Sequence, residues 1–185
     1  ALSSLKPTDR VLLAGKSTDE VRDALNSRYN SLMQSGRVIS IDRHLTSDEL
    51  WAACIGADVV CTPYPNHRYS ASIVIRAAAA GVPVLANSIG WMQEIINEFS
   101  LGTTCNTNLP VEFACNIRNS LEQSPSFQIG DSARNFIDYH TAANFASHLT
   151  KRLADRMGIL RATSQTLDWS DVSVSNRAFS NSRAA

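Results

Sequence analysis

The sequence predicts an α/β fold: a Rossmann-like, doubly wound parallel sheet with helices on both faces. Three observations lead there. Short apolar runs recur at 10–14, 37–41, 58–62 and 82–86, with a weaker one near 102–105. They read as continuous hydrophobic stretches, the pattern of strands buried on both faces. Helical patterns alternate with these runs, and right-handed crossovers then place helices on both sides of one sheet.

The first run stops at Gly15, a tight turn. Thr18 or Asp19 caps the helix that follows, in which Val21, Leu25, Tyr29 and Leu32 recur at helical spacing until Gly36. After the strand at 37–41, Ser47-Asp48-Glu49 opens a helix through Leu50, Trp51, Ala53 and Ile55, and Gly56 closes it. A helix at about 71–80 leads into the strand at 82–86, and one at about 91–98 into the weak strand. Beyond Pro110, Val111, Phe113, Ala114, Ile117 and Leu121 form one apolar stripe; in a last helix, about 141–157, Phe145, Leu149, Leu153 and Met157 share a face. The composition then turns to Ser, Asn, Arg and Ala with isolated Leu167, Trp169 and Phe179. The chain therefore reads as a domain at 1–158 followed by a tail at 159–185.

A length of 185 residues with 44% hydrophobic residues suits one domain with a sizeable core. Seventeen basic residues balance 17 acidic ones and form no stripe, which argues against nucleic acid as a partner. Cys54, Cys61, Cys105 and Cys115 show no C-x-x-C pair and no His at zinc-ligand spacing, so no metal is expected. Cys54 and Cys61 lie in apolar surroundings and read as reduced core thiols, with a cytoplasmic location as the corresponding expectation. No basic-then-apolar leader opens the sequence. Its longest apolar stretch, about 71–86, is broken by Arg76, Gly81 and Pro83, so no transmembrane segment is expected.

Ligands of an open parallel sheet bind beyond the carboxyl ends of its strands. The loops there are Gly15–Asp19, Asp42–Leu45 and Pro63–Ser72. The third enters a helix, whose free N–H groups and dipole suit a diphosphate. Tyr69, Ser70, Ala71 and Ser72 supply those amides; the plainer reading is that Ser70 or Ser72 only caps its own helix. Lys16, Arg43, His44 and His67 are loop residues that either approach a phosphate or base, or are simply solvated. His140 and His148 read as structural. The dinucleotide G-x-G-x-x-G, a Walker A sequence and a G-x-S-x-G elbow are all missing.

Residues 57–96 carry more. They run Ala57-Asp58-Val59, Pro63, Arg68-Tyr69-Ser70-Ala71, then Arg76-Ala77-Ala78-Ala79-Ala80-Gly81-Val82-Pro83-Val84-Leu85-Ala86, and Gly90-Trp91-Met92-Gln93-Glu94. This order resembles the donor-binding half of GT-B nucleotide-sugar glycosyltransferases of the "glycosyl transferases group 1" type. Their pattern is A-D-V, P-S, E-G-F-G, E-A-M-A-A-G-x-P-V-V-A and G-G-x-x-E. The match extends from about residue 10 to 157. The resemblance implies retaining hexosyl transfer from a nucleotide-sugar substrate, without cofactor or metal, and an acceptor-binding domain as partner. It implies donor-binding roles for Gly15, Lys16, Arg43, His44, Arg68, Tyr69, Ser70, Ala71, Ser72, Arg76, Gly90 and Glu94, and leaves the catalytic residue unknown.

The chain departs from the pattern at Arg68 and Arg76, where the family has glutamates, and at Trp91, where it has the second glycine. The family's glutamate at the position of Arg76 accepts from ribose hydroxyls. A guanidinium has five donors and no acceptor, so the exchange favours an anion instead. Either the donor site is re-tuned toward phosphate or an acidic sugar, or transfer is lost and a non-catalytic scaffold remains. Arg76 on an apolar helix needs an acceptor, a carbonyl or Glu94. Trp91 is expected to crowd the sugar pocket. The opening strand and helix of the family's donor domain have no counterpart, and an open sheet edge invites self-association.

Overall fold

The computed structural model describes residues 5–158 and Val172. Apart from Val172, the expected tail at 159–185 lies outside the described residues. The order is β1 (Val11–Ala14), α1 (Asp19–Asn26), α2 (Asn30–Gln34), β2 (Val38–Ile41), α3 (Ser47–Ile55), β3 (Val60–Thr62), α4 (Ser72–Ala79), β4 (Val84–Asn87), α5 (Gly90–Glu98), β5 (Gly102–Cys105), α6 (Pro110–Gln123), α7 (Asp131–Tyr139) and α8 (Ala142–Met157), with a short 3₁₀ turn at Ser124–Ser126. All strand pairs are parallel. The α/β class read from the sequence is therefore the observed one.

One sheet was expected; the ladders are two. β1 pairs with β2, and β3, β4 and β5 form a second ladder in that order. Among the described residues no ladder joins β1 to β3, so each keeps an open edge on that side. Cys61 reflects this. It was expected in the core, but it is exposed on β3, whereas Cys54 and Cys105 are buried; Cys115 is exposed and all four thiols are free.

The single helix expected before Gly36 is also two. Ser27 turns both its amide and its hydroxyl onto the Asp23 carbonyl (2.9 and 2.6 Å), and Tyr29 donates to Ala24. This local competition for backbone groups ends α1 after two turns. At α3 the helix start read at Ser47–Glu49 holds, and its cap is Thr46, which that reading did not name: Thr46 accepts from the Glu49 amide at 3.2 Å, and Glu49 reaches back to the Thr46 amide at 2.9 Å.

Glu49 also accepts two hydrogen bonds from Arg43. The Arg43 guanidinium first, and the Thr46 amide second, hold its carboxyl down at about 2. A carboxylate whose folded value lies below its ordinary 4.5 stabilises fully above about that pH and loses this contribution as the pH falls toward 2. Protection of the α3 amides in hydrogen exchange should accordingly decline across that window. Glu49→Gln should remove the pH dependence; an unchanged profile would count against the pair.

The core sits on one face of the larger sheet. Val84 and Ala86 meet Val74, Ala77 and Ala78 of α4, and Met92, Ile95 and Ile96 of α5. Phe136 of α7 closes it, its ring 4.7 Å from Phe99. α7 was not anticipated, although Ala133, Phe136 and Ile137 do recur at helical spacing. Val172 also reaches this core. α6 covers the opposite face, where Ser120 and Thr103 hydroxyls lie 3.1 Å apart. Its expected stripe is only partly covered: Ala114 is buried, but Val111 is 77% exposed.

The α8 stripe is the other departure. Phe145, Leu149, Leu153 and Met157 share a face as expected, yet all four are exposed. Their helix touches the body through Asn144, Ser147, His148 and Ala154, which lie on the other side and are half-buried.

Candidate functional site

β3, β4 and β5 deliver three loops to one end of the sheet: residues 63–71, 88–89 and 106–109. Asn87, the last residue of β4, ties two of them together from inside. Its buried amide donates to the Tyr64 carbonyl at 3.3 Å, and its side-chain oxygen accepts from the Thr107 amide at 3.3 Å. A buried Asn satisfied by two backbone groups fixes those groups, because losing either strands a polar atom. The sequence reading missed Asn87. The available signal was a polar residue ending a strand otherwise wholly apolar.

Gly90 fixes the remaining loop. It has φ +62, and a side chain there would place a Cβ 2.7 Å from both the Cα and the carbonyl oxygen of Arg68. The next amide, Trp91, donates to that carbonyl at 3.1 Å. Gly90 thus allows two backbones to meet. Trp91, expected to crowd a sugar pocket, instead packs half-buried against the core, 6.4 Å from the Phe136 ring.

α4 starts where the 63–71 loop ends. Its cap position is Ala71, and no side chain caps it. The simple capping reading of Ser70 and Ser72 is therefore corrected: the amides at the start of α4 are left without a side-chain acceptor among the described residues. Arg68, Tyr69, Ser70 and Ser72 are exposed around this helix start, while Ala71 is buried. Arg76 follows one turn later, half-buried on the side of Cys54 in α3. Among the described residues neither a carbonyl nor Glu94 accepts from it. Glu94 is exposed one turn into α5. Arg68 thus precedes the uncapped amides, Arg76 lies in the last turn of α4, and neither carries a side-chain partner among the described residues.

The loop also holds three rings. Tyr64 and His67 lie edge-on with centroids 5.7 Å apart, and His67 and Tyr69 likewise at 6.1 Å. The His67 Nε2 is 3.4 Å from the Ser70 carbonyl.

The smaller ladder contributes Gly15, Lys16, Arg43 and His44. The Gly15 amide donates to the Ile41 carbonyl at 3.1 Å, and Lys16 is exposed. Arg43 is held by Glu49, and exposed His44 gives its carbonyl to Arg43 at 3.1 Å. Asp42, read from the sequence only as the start of its own loop, anchors the loop after β1. It accepts from the Ser17 amide at 2.7 Å and from Arg22 at 2.8 Å. Those bonds, the Ser17 amide first, hold its carboxyl below the usual range.

Among the described residues, no group of three His, Cys, Asp or Glu is disposed to hold a metal ion, and no helix is long and apolar enough to cross a membrane. A shallow groove of about 370 Å³ runs between Tyr139, His140, Phe145 and His148, and includes none of the loop residues above.

Parallel ladders flanked by helices, with loops gathered at the carboxyl end, define the architecture: a Rossmann-like half of a GT-B fold. Solved glycosyltransferase structures share it. Sucrose-phosphate synthase from Thermosynechococcus elongatus matches with TM-score 0.65 and 18% identity over 84% of this chain and 41% of that one. Anabaena HepE in complex with UDP and glucose matches with TM-score 0.60 and 16% identity over 86% and 44%. AviGT4, a glycosyltransferase involved in avilamycin A biosynthesis, gives 0.53 and 18% over 80% and 43%. The chain thus spans less than half the length of these structures. No protein-family model and no curated protein sequence matches it. At these identities the likeness establishes the fold, and the resemblance seen in residues 57–96 is matched by it.

Proposed function

We propose that this chain is the donor-binding half of a glycosyltransferase, holding a nucleotide sugar at the start of α4. The observation that carries the reading is the uncapped α4 N-terminus with exposed Arg68 just ahead of it; Arg76 lies further along the same helix, and neither arginine has an acceptor among the described residues. Free backbone N–H groups, a positive dipole end and unpaired guanidinium groups together favour a diphosphate. The fold it shares with HepE, solved in complex with UDP, supports the same choice. Ser70, Ala71 and Ser72 supply amides in this reading, and Lys16, His44 and Glu94 line the approach. Transfer is of the retaining, metal-independent kind, and an acceptor-binding domain completes the enzyme. The exposed α8 stripe and the open edges of β1 and β3 are surfaces for that domain or for self-association.

Calorimetric titration with UDP, GDP and ADP tests this. One nucleotide should bind selectively. Arg68→Ala and Arg76→Ala should each weaken it by roughly ten-fold to a hundred-fold, the scale of a hydrogen bond to a charged group. Affinity unchanged in both variants would remove the arginines from the site.

A second reading has its own observation. Arg68 and Arg76 stand where glycosyltransferases of this type carry glutamates, so a scaffold that no longer transfers sugar is the alternative. It requires a folded protein that binds none of the three nucleotides.

A further inference from the structure

We propose that Tyr64, His67 and Tyr69 form an aromatic platform on which a saccharide ring stacks. The inference rests on the donor-site reading and names what lies beside the diphosphate.

Three features of the 63–71 loop carry it. First, the rings touch one another edge-on through His67, so they form one array rather than three separate side chains. Second, Tyr69 is 78% exposed and Tyr64 40%, which leaves aromatic surface facing solvent in a loop whose backbone is pinned. Tyr64 is held through Asn87, and Arg68 through Gly90 and Trp91. An exposed ring on a fixed backbone offers contact area at little cost in conformational entropy. Third, Tyr69 lies between Arg68 and the uncapped start of α4, and stands where the glycosyltransferase pattern has a glycine. A group attached to a diphosphate held at those amides comes within reach of this ring.

The chemistry favours a sugar over a nucleobase. A base is usually gripped between two parallel faces, whereas neighbouring rings here stand at 76° and 84° to one another. A pyranose needs one aromatic face for its axial C–H groups and polar tips for its hydroxyls. Tyr64, His67 and Tyr69 provide both. The saccharide has two sources, the donor's own sugar or an acceptor, and the ligands below separate them.

The test compares the wild-type protein, Tyr69→Ala and Tyr69→Phe by calorimetry. The probes are UDP, GDP and ADP, their glucose conjugates, and maltotriose as an acceptor-like saccharide. For a donor sugar, the wild type should bind the conjugate more tightly than the bare nucleotide. Tyr69→Ala should lower that affinity by about five-fold to a hundred-fold, the range of one aromatic stack, and affect the bare nucleotide far less, because the variant keeps the backbone amide. For an acceptor, only maltotriose binding should fall. Tyr69→Phe, which keeps the ring and loses only the hydroxyl, should retain most of the affinity that Tyr69→Ala loses in either case. Because Tyr69 is exposed, both variants should keep the wild-type circular dichroism. Equal losses for nucleotide and conjugate, or no loss for any sugar, would overturn the platform while leaving the donor site standing. Failure of the wild type to bind any nucleotide or conjugate would sink the donor-site reading and the platform with it.

Discussion

Gly102→Ala should be among the most damaging single-atom changes available to this chain. β5 passes so close to β4 that a Cβ on Gly102 would lie 2.0 Å from the Val84 carbonyl oxygen and 2.5 Å from its nitrogen. Both atoms are backbone, and the Val84 amide is bonded to the Leu101 carbonyl at 2.9 Å, so no side chain can swing away to make room. The φ of +149 adds strain for any residue with a Cβ. Overpacking and unfavourable backbone each cost about 1–3 kcal/mol, giving roughly 2–6 kcal/mol in total. Urea denaturation should show the midpoint falling sharply. Gly130→Ala is the control, because nothing lies within 4 Å of its Cβ and its φ is ordinary. Equal midpoints for the two variants would refute the close approach.

Gly90→Ala should strike binding harder than folding. The added methyl would sit 2.7 Å from two backbone atoms of Arg68, so the 63–71 loop must move away from α5. That movement breaks the Trp91–Arg68 hydrogen bond and shifts Arg68, Tyr69 and the start of α4 together. Geometry displaced by about an ångström at a binding site commonly costs a factor near a hundred. Nucleotide affinity is therefore expected to fall by at least about ten-fold, with most of the thermal stability retained. Arg68→Ala separates the two contributions, since it removes the guanidinium and leaves the loop in place. If Gly90→Ala binds nucleotide as the wild type does, the loop is not part of the site.

How much of this was legible beforehand depended on the kind of signal. Strand positions were readable because residues such as Val84, Leu85 and Ala86 are buried on both faces, and few arrangements besides a buried strand leave so short and continuous an apolar run. The start of α3 was readable from Ser47-Asp48-Glu49, since its polar and acidic first turn is a local signal, although its cap Thr46 went unnamed. The break at Ser27 was not, since it comes from one hydroxyl competing for one carbonyl. The division into two ladders was not readable either, because periodicity identifies strands and says nothing of which edges pair. At the site, the helix start and its arginines came from the order of residues. Asn87 did not, because its meaning lies in what it touches. Gly90 was noticed for a pocket, yet its structural reason is the backbone of Arg68.

The division of the sheet also has a consequence for cooperativity. Between residues 5 and 41, only Leu25 and Val38 are buried apolar side chains, whereas nearly the whole core belongs to the second ladder. Two ladders that share no hydrogen bond need not melt together. The β1–β2 unit should open sub-globally at a fraction of the free energy needed to unfold β3–β5. Lys16 and His44 then sit on the half that fluctuates, and Arg68 and Tyr69 on the half that holds. A ligand gripping both would act as a clasp, drawing two foldons into one cooperative unit and registering its arrival as a sharper thermal transition.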